Sequence, residues 1–459
     1  MRKSLLDQLP LVPVAIDHDH ARELGAVSQL LEQLPEAVKM VYVDLSWRGK
    51  KRVDPSKGRH GMAAEQVLRV AVLKQMKDCT YEMLAFHLAD SATCRKFCHI
   101  GLNSKPPQKA TLQKNVKRVK PETWEAINRM VVRKAEELGV ESGKQARTDC
   151  TVVESNIHHP NDSSLLWDSV RVLARLMSHA QQEFGIGFHD HRRRAKRRAL
   201  NISNAKSMTE RKPLYRDLLK VTQKTVAQAE STIEQLAEVV PGGPAQVAQL
   251  TALTIDLRHY VDLAQRVIYQ TERRVLDDEN VPASEKIVSI FEPHTDIIIK
   301  DNRDTLYGHK LCLTSGASGL VTDAVVETGN PADSTLAVTM MQRQKDLYGK
   351  APRQACFDGG FASRANLAQI KALGVEDVVF HKRCRLEIED MAKSPAVYRA
   401  LRAFRAGIEG VISFLKRGFG LDRCAWRGFE SFKAYVQASV LACNLLTVAR
   451  HALAARKAA

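Results

Sequence analysis

Three carboxylates stand out for the residues around them. Asp149 lies near the start of RTDCTVVESNI, a β-branched run that reads as a strand. An acid among Val and Thr is costly to bury unless something positive binds it, whereas at an exposed strand end it is simply solvated. Asp358 closes the short apolar strand of RQACFDGG, just before Gly359 and Gly360. Glycines let the backbone turn sharply and let a ligand come close, and the C-terminal end of a strand is a favoured ligand position in open α/β sheets. The same residue would serve equally well as a turn cap. Glu409 sits in FRAGIEGVISFLKRGFG, where helical spacing puts Arg402, Arg405, Ile412, Ser413 and Lys416 on its face. One carboxylate in a stripe of three cations suits a metal ligand flanked by phosphate contacts. It suits equally an Arg405–Glu409 pair at i,i+4, worth roughly a few tenths of a kcal/mol.

Together the three acids suit one chemistry. Mg²⁺ takes oxygen ligands and often only one or two carboxylates per ion. Two ions about 3.5–4 Å apart clamp the attacking and leaving oxygens of an in-line phosphoryl displacement. Such a site draws its carboxylates from distant sequence, and two strands and one helix of an α/β domain can supply them. Other groups have plainer readings. Glu387, Glu389 and Asp390 are rival third acids, but they fall in a loop-like stretch without the cationic stripe. His158 and His159 read as polar surface at a strand exit, Asp162 as an N-cap, and Asp168 as an outer-shell group at most. Trp167 and Trp426 read as packing residues, and Cys94, Cys98 and His99 as buried thiols rather than a metal clip, since no second ligand pair lies at zinc-finger spacing.

The elements that must hold these acids follow from the patterning. Val41–Leu45 has the look of a short strand, and a basic stretch from Arg48 to Arg59 follows it. From Gly61 to Gly139 the periodicity is helical, with Ala64, Val67, Leu68 and Ala71 on one face. Lys105, Lys109, Lys114, Lys117, Arg118 and Lys120 there are either a solvated face or a helix-turn-helix-like DNA contact. After the Asp149 strand, Asn161, Asp162 and Ser163 announce a helix, and residues 163–284 are almost entirely helical, broken at Pro213 and at Pro241-Gly242-Gly243-Pro244. This block carries a basic run from Arg192 to Lys212 that includes Arg192, Arg193, Arg194, Arg197 and Arg198 against the single acid Glu210. Strands then read at 287–291, 296–300, 310–315, 320–328 and up to Asp358, with another at 377–382. Helices read at 334–348, 363–373 and 397–416.

The expected architecture is α/β, a mixed sheet with flanking helices, because strands and helices alternate after a strand cluster. Its first piece is 141–162 and its remainder 285–459, with the helical block 163–284 inserted between them and a mostly helical unit over 1–140 in front.

Charge bears on partners. The 459 residues hold 69 Lys and Arg against 52 Asp and Glu, a net +17, which favours a polyanion such as nucleic acid. With 44% apolar and 26% charged residues the chain is neither disordered nor fibrous. Nine scattered cysteines fit reduced thiols. Asp7 and Pro10 interrupt any N-terminal apolar run, and Val436–Ala455 is too polar for a span and reads as a buried amphipathic helix. The expectation is a cytoplasmic protein with no membrane partner.

Three blocks carry a family resemblance: TDCTVVESNIHHPNDSSLLWD around Asp149, CFDGGF around Asp358, and RAGIEGVISFLKRGFGLDRCAWRG around Glu409. The chain resembles the DDE transposases of bacterial insertion sequences, built on an RNase H-like catalytic domain. The third block is similar to the family's Tyr-x2-Arg-x3-Glu-x6-Lys signature, with Arg405, Glu409 and Lys416 in place and Arg402 where the signature has Tyr. Pro160-Asn161-Asp162 likewise replaces the Pro-Thr-Asp of many relatives.

The resemblance implies that Asp149, Asp358 and Glu409 are catalytic and hold two Mg²⁺ ions, with Mn²⁺ as a substitute. It implies cleavage at the element's ends and transfer of the freed 3′-OH into target DNA. Arg402, Arg405 and Lys416 would meet phosphates. The terminal inverted repeats would fall to the N-terminal unit, with Lys114, Lys117 and Arg118, and to the basic run. At least a dimer would assemble on DNA, in a nucleoid-associated protein. A catalytically silent DNA-binding regulator and an RNase H-like structure-specific nuclease are the alternatives.

Overall fold

The computed structural model describes residues 16–48, 51–52, 61–101, 103–300, 304–382 and 384–458. The chain forms two compact units, 1–154 with 309–459, and 155–308.

The N-terminal part of the first unit holds helices α1 (Asp19–Glu32), α2 (Pro35–Leu45), α3 (Ala64–Met76), α4 (Tyr81–Asp90), α5 (Ala92–Phe97), α6 (Lys109–Val116) and α7 (Pro121–Glu137). A two-residue hairpin, β1 (Trp47–Arg48) and β2 (Lys51–Arg52), follows α2. The short strand expected at Val41–Leu45 is instead the end of α2, where Val41 and Leu45 join Ala37 and Val38 on a buried i, i+3/i+4 face. A run of β-branched residues looks extended when a tertiary face is the true reason for its apolarity. Apart from that hairpin, the basic stretch between Arg48 and Arg59 lies outside the described residues.

Next comes β3 (Gln145–Ser155), which carries Asp149. The second unit then contains α8 (Asp162–Phe184), α9 (Arg192–Asn204), α10 (Met208–Glu238) and α11 (Pro244–Thr271). Leu166, Val170, Leu173, Leu218, Leu257 and Val267 fill its core. The N-cap of α8 is Asn161, not Asp162: Asn161 Oδ1 accepts from Ser164 N at 2.7 Å. Asp162 is instead buried, with Arg274 Nη1 at 2.9 Å and Gln270 Nε2 at 3.1 Å from its carboxylate. Pro213 lies inside α10 without ending it, while Pro244 opens α11 at the expected break. Residues 287–291 are not a strand; β4 (Asp296–Lys300) pairs antiparallel with the start of β5 (Asp304–Ser315).

The first unit resumes with the rest of β5, then β6 (Val321–Val326), α12 (Ala337–Tyr348), β7 (Gln354–Phe357), α13 (Arg364–Ala372), β8 (Asp377–Phe380), α14 (Ile388–Met391), α15 (Pro395–Gly418), β9 (Arg423–Cys424) and α16 (Phe429–Ala458). A seven-stranded mixed sheet runs β4-β5-β3-β7-β8, with β6 on β5 and β9 on β3. Strands β3, β7 and β8 are parallel, whereas β5 and β6 form an antiparallel pair. Along β5 the strand period of two sends Leu311 and Leu313 to one core and Cys312 to the other.

Helix α16 is the axis of the first core. It is buried on every face from Ala434 to Leu446, so it is not amphipathic. Each fully buried Leu or Val there contributes about 1.5–3 kcal/mol. Its length and apolarity alone would let it cross a membrane, but its polar side chains are answered inside the protein. Asn444 accepts from Val321 N at 2.9 Å and donates to Val321 O at 2.7 Å, and Gln437 donates to Ala324 O at 2.7 Å.

Candidate active site

The two aspartates emerge together because of strand register. Parallel pairing of β3 with β7 runs from Gln145↔Gln354 to Thr148↔Phe357. One residue further, β7 gives way to a tight turn at Gly359–Phe361, and Asp149 and Asp358 leave the ladder side by side. This is also where the strand order reverses, with β5 on one side of β3 and β7 on the other, the place where an open α/β sheet offers a crevice. Gly359 must lack a side chain here, since a Cβ would come within 2.9 Å of the Lys382 stem.

The third acid arrives on α15. Ser394 caps this helix, accepting from Val397 N at 3.3 Å, and Pro395 occupies its first turn. Tyr398, Leu401, Ile408, Val411 and Leu415 form the buried stripe that docks it. A second device sets its height. Arg147, two residues before Asp149, donates from Nε to Ser315 Oγ at 2.8 Å and from Nη1 to Phe404 O at 3.0 Å. Its guanidinium lies 4.7 Å from the Phe404 ring centroid and passes over Gly407, where a methyl group would overlap it. Arg147 and Gly407 went unremarked in the sequence. The available signal was strand alternation, which puts residues 147 and 149 on one face.

The acids meet on a single cation. Arg405 Nη2 lies 2.8 Å from Asp149 Oδ2 and 3.2 Å from Asp358 Oδ1, and Nη1 lies 3.1 Å from Glu409 Oε1. Of the two readings of Glu409, the i,i+4 pair is present, and its cation is shared with the two aspartates. The Arg405 side chain is 11% exposed, that of Asp358 39% and that of Glu409 67%. Arg405 Nε is buried without a hydrogen-bond partner, a deficit that costs on the order of 1–3 kcal/mol. Burial pushes the Asp149 carboxyl above its ordinary value, and Arg405 and the Cys150 N–H offset this only in part. All-oxygen donors of this kind suit a hard cation such as Mg²⁺. Among the described residues no three His, Cys, Asp or Glu side chains are already grouped as a metal site; the acids face the guanidinium instead.

The remaining predicted residues are more dispersed. Arg402 is exposed, its guanidinium 5.8 Å from the Tyr398 ring centroid. Lys416 lies further along α15, 3.8 Å from Asp422. Glu387, Glu389 and Asp390 lie at α14, and the ion pairs of Arg405 among the described residues do not include them. His158 lies 3.6 Å from Asp168, which also pairs with Arg171 at 2.6 Å. Trp426 is buried, as are Cys94 and Cys98, and His99 meets Glu65 at 3.1 Å. Lys114 is exposed on α6, and Lys117 follows at its C-cap. Arg118 is tied to the carbonyls of Leu45 and Trp47. His381, just past β8, was not singled out in the sequence: it follows the Phe357↔Phe380 pair of the register, and its Nδ1 is buried without a hydrogen-bond partner.

In the second unit the basic run divides. Arg192 pairs with Asp190 at 2.6 Å, and Arg194 and Arg198 both clasp Asp217. Arg193, Lys196 and Arg197 are exposed and make no ion pair among the described residues. Arg193 and Arg197 line an open cleft of about 760 Å³ with His189, His191 and Lys224.

Family models match toward both ends of the chain. A family model described as "Transposase DDE domain" matches residues 272–445, which include Asp358, Arg405 and Glu409. A second, "Transposase domain (DUF772)", matches residues 22–118. No curated protein and no solved structure matches the chain. Transposase family models thus match at each end of the chain, and together they support a DDE-type transposase of an insertion sequence.

Proposed function

We propose that this transposase cleaves the ends of its element and joins the freed 3′-OH to target DNA, with Asp149, Asp358 and Glu409 as the catalytic carboxylates. One observation carries the reading: strand β3, the end of strand β7 and helix α15 deliver three acids to a single guanidinium. Acids so concentrated repel one another unless cations join them. When bound, two Mg²⁺ ions, or Mn²⁺ in their place, would supply activation of the attacking oxygen and stabilisation of the leaving one. Asp149, Asp358 and Glu409 would hold those ions, Asp149 from a largely buried position that fixes its direction. In the first step a water oxygen bonds to phosphorus and the 3′-oxygen leaves; in the second the 3′-OH attacks a target phosphate and a target 3′-oxygen leaves.

Arg402, Arg405 and Lys416 position phosphates, which sets register without reading sequence. The antiparallel β5–β6 pair beside the parallel β3–β7–β8 half supports an RNase H-like catalytic domain over 141–162 and 285–459, interrupted by the helical insertion 163–284. The helical unit over 1–140, with Lys114, Lys117 and Arg118, and the α9 run with Arg192, Arg193, Arg194, Arg197 and Arg198 bind the inverted repeats. A dimer or larger assembly forms on the DNA, in the cytoplasm at the nucleoid.

The test is cleavage and strand transfer on labelled element ends with Mg²⁺, comparing wild type with Asp358→Asn, with DNA binding measured at fixed salt. Cutting and joining by wild type, with binding alone by the variant, supports the reading. Cleavage without joining would mark a nuclease, and binding without cleavage by both proteins a DNA-binding regulator.

A further inference from the structure

Arg405 stands in two roles at once: it is the cation that the three acids share and, on the reading above, a ligand for DNA phosphate. We propose that its guanidinium is an internal competitor for the divalent ions, occupying the carboxylate site in the DNA-free protein until a DNA phosphate draws it away. The proposal rests on the transposase reading and adds a control on the same site.

Four observations carry it. The guanidinium reaches Asp149, Asp358 and Glu409 within 3.2 Å, so it takes the carboxylate oxygens a metal ion would need. One cation cannot neutralise three carboxylates, so the arrangement is provisional. Arg405 Nε is buried with no acceptor, so the side chain gains a hydrogen bond if it turns toward a phosphate oxygen. Asp358 and Glu409 remain accessible from solvent, so ions can enter once the guanidinium leaves. The exchange needs only rotation of a long side chain on α15, with no movement of the strands.

Thermodynamic linkage makes the consequence reciprocal. If DNA removes the competitor, DNA tightens metal binding, and metal tightens DNA binding by the same factor. Premature metal loading, and cutting without a correctly placed phosphate, are thereby suppressed.

The experiment measures Mn²⁺ binding to the full chain without DNA, by the electron paramagnetic resonance signal of free Mn²⁺. Wild type, Arg405→Ala, Arg405→Lys and Asp149→Asn are compared. Arg405→Ala is expected to bind Mn²⁺ roughly 5- to 150-fold more tightly than wild type, the usual range of coupling between sites. A short duplex ending in the element's terminal sequence should tighten Mn²⁺ on wild type and leave Arg405→Ala unchanged. Mn²⁺ should also raise the melting temperature of Arg405→Ala by more than that of wild type.

If Arg405→Ala does not fold, Arg405→Lys decides the matter, because one ammonium cannot bridge three carboxylates and affinity should still rise. Equal Mn²⁺ affinity in wild type and the Arg405 variants, abolished by Asp149→Asn, would overturn the competitor while leaving the carboxylate site intact. No Mn²⁺ binding by any variant, with DNA binding preserved, would sink the metal reading and this proposal together.

Discussion

The carboxylate site and the basic helix α9 organise charge in opposite ways. At the site, three acids converge on one arginine, and the acid most enclosed by protein is held above its ordinary pKa by burial. At α9, two of the helix's arginines clasp one acid of α10, Asp217; burial opposes its ionisation, but hydrogen bonds from Arg194 and Arg198 prevail and its pKa is lowered. The first arrangement leaves anionic capacity to be met from outside. The second leaves Arg193, Lys196 and Arg197 without ion pairs among the described residues, so cationic capacity remains. A count of charges along the sequence does not reveal this, because it treats the clasped and the unclasped arginines alike.

The strongest way to break the comparison is at the acids. Asp358→Asn should abolish cleavage and strand transfer while DNA binding persists, read by product formation on labelled ends at fixed salt. Retained cleavage would remove the carboxylates from the chemistry.

Next in size is the device that docks α15. Gly407→Val should expel the Arg147 guanidinium, leaving Ser315 Oγ and Phe404 O without their donor. The expected cost is about 2–4 kcal/mol in a denaturant titration, combining a lost buried hydrogen-bond set with overpacking. A variant as stable as wild type would show that α15 is held by its apolar stripe alone.

The two classes of arginine on α9 should separate in a salt titration. Arg193→Ala, Lys196→Ala and Arg197→Ala combined should lower the slope of log affinity against log salt by roughly 2–3, at about 0.9 per phosphate contact. Arg194→Ala with Arg198→Ala should change stability more than slope. Equal slope changes would mean that the clasped arginines release Asp217 to meet DNA.

The smallest effect is in pH. A carboxyl whose folded pKa is raised is destabilising when ionised, so its penalty is absent below the unfolded pKa and complete above the folded one. Asp149→Asn should therefore stabilise the DNA-free protein slightly at neutral pH, with the gain vanishing as pH falls below about 4. Asp217 has the opposite sign: its stabilisation is present above the ordinary carboxyl pKa and is lost as pH falls through the lowered one. Asp217→Asn should destabilise at neutral pH and converge with wild type in acid. Thermal melts across this window read both signs.

Much of the architecture was legible in residue patterning. The helical N-terminal run, the helical block after Asn161, the strands at β3, β7 and β8 and the helix α15 all announce themselves by period and by caps. The misreadings share a cause. Val41–Leu45 and Ile287–Phe291 are apolar and β-branched, as a strand is, but their partners are distant in sequence, and local pattern cannot say whether a ladder or a helix face awaits them. Asp162 had the chemistry of a cap, but Asn161 took that position and Asp162 turned inward to Arg274 and Gln270.

The sequence by itself determined the inventory: three acids, their local settings, and an arginine one helical turn before Glu409. That follows from spacing, which a helix or strand converts directly into a shared face. Only the tertiary structure decided that Asp149 and Asp358 lie side by side where the β3–β7 pairing ends, that Arg147 sets the height of α15 over a glycine, and that Arg405 meets all three acids. Those outcomes depend on pairing and packing between segments far apart in the chain, and each requires the whole unit to be folded before it has any value.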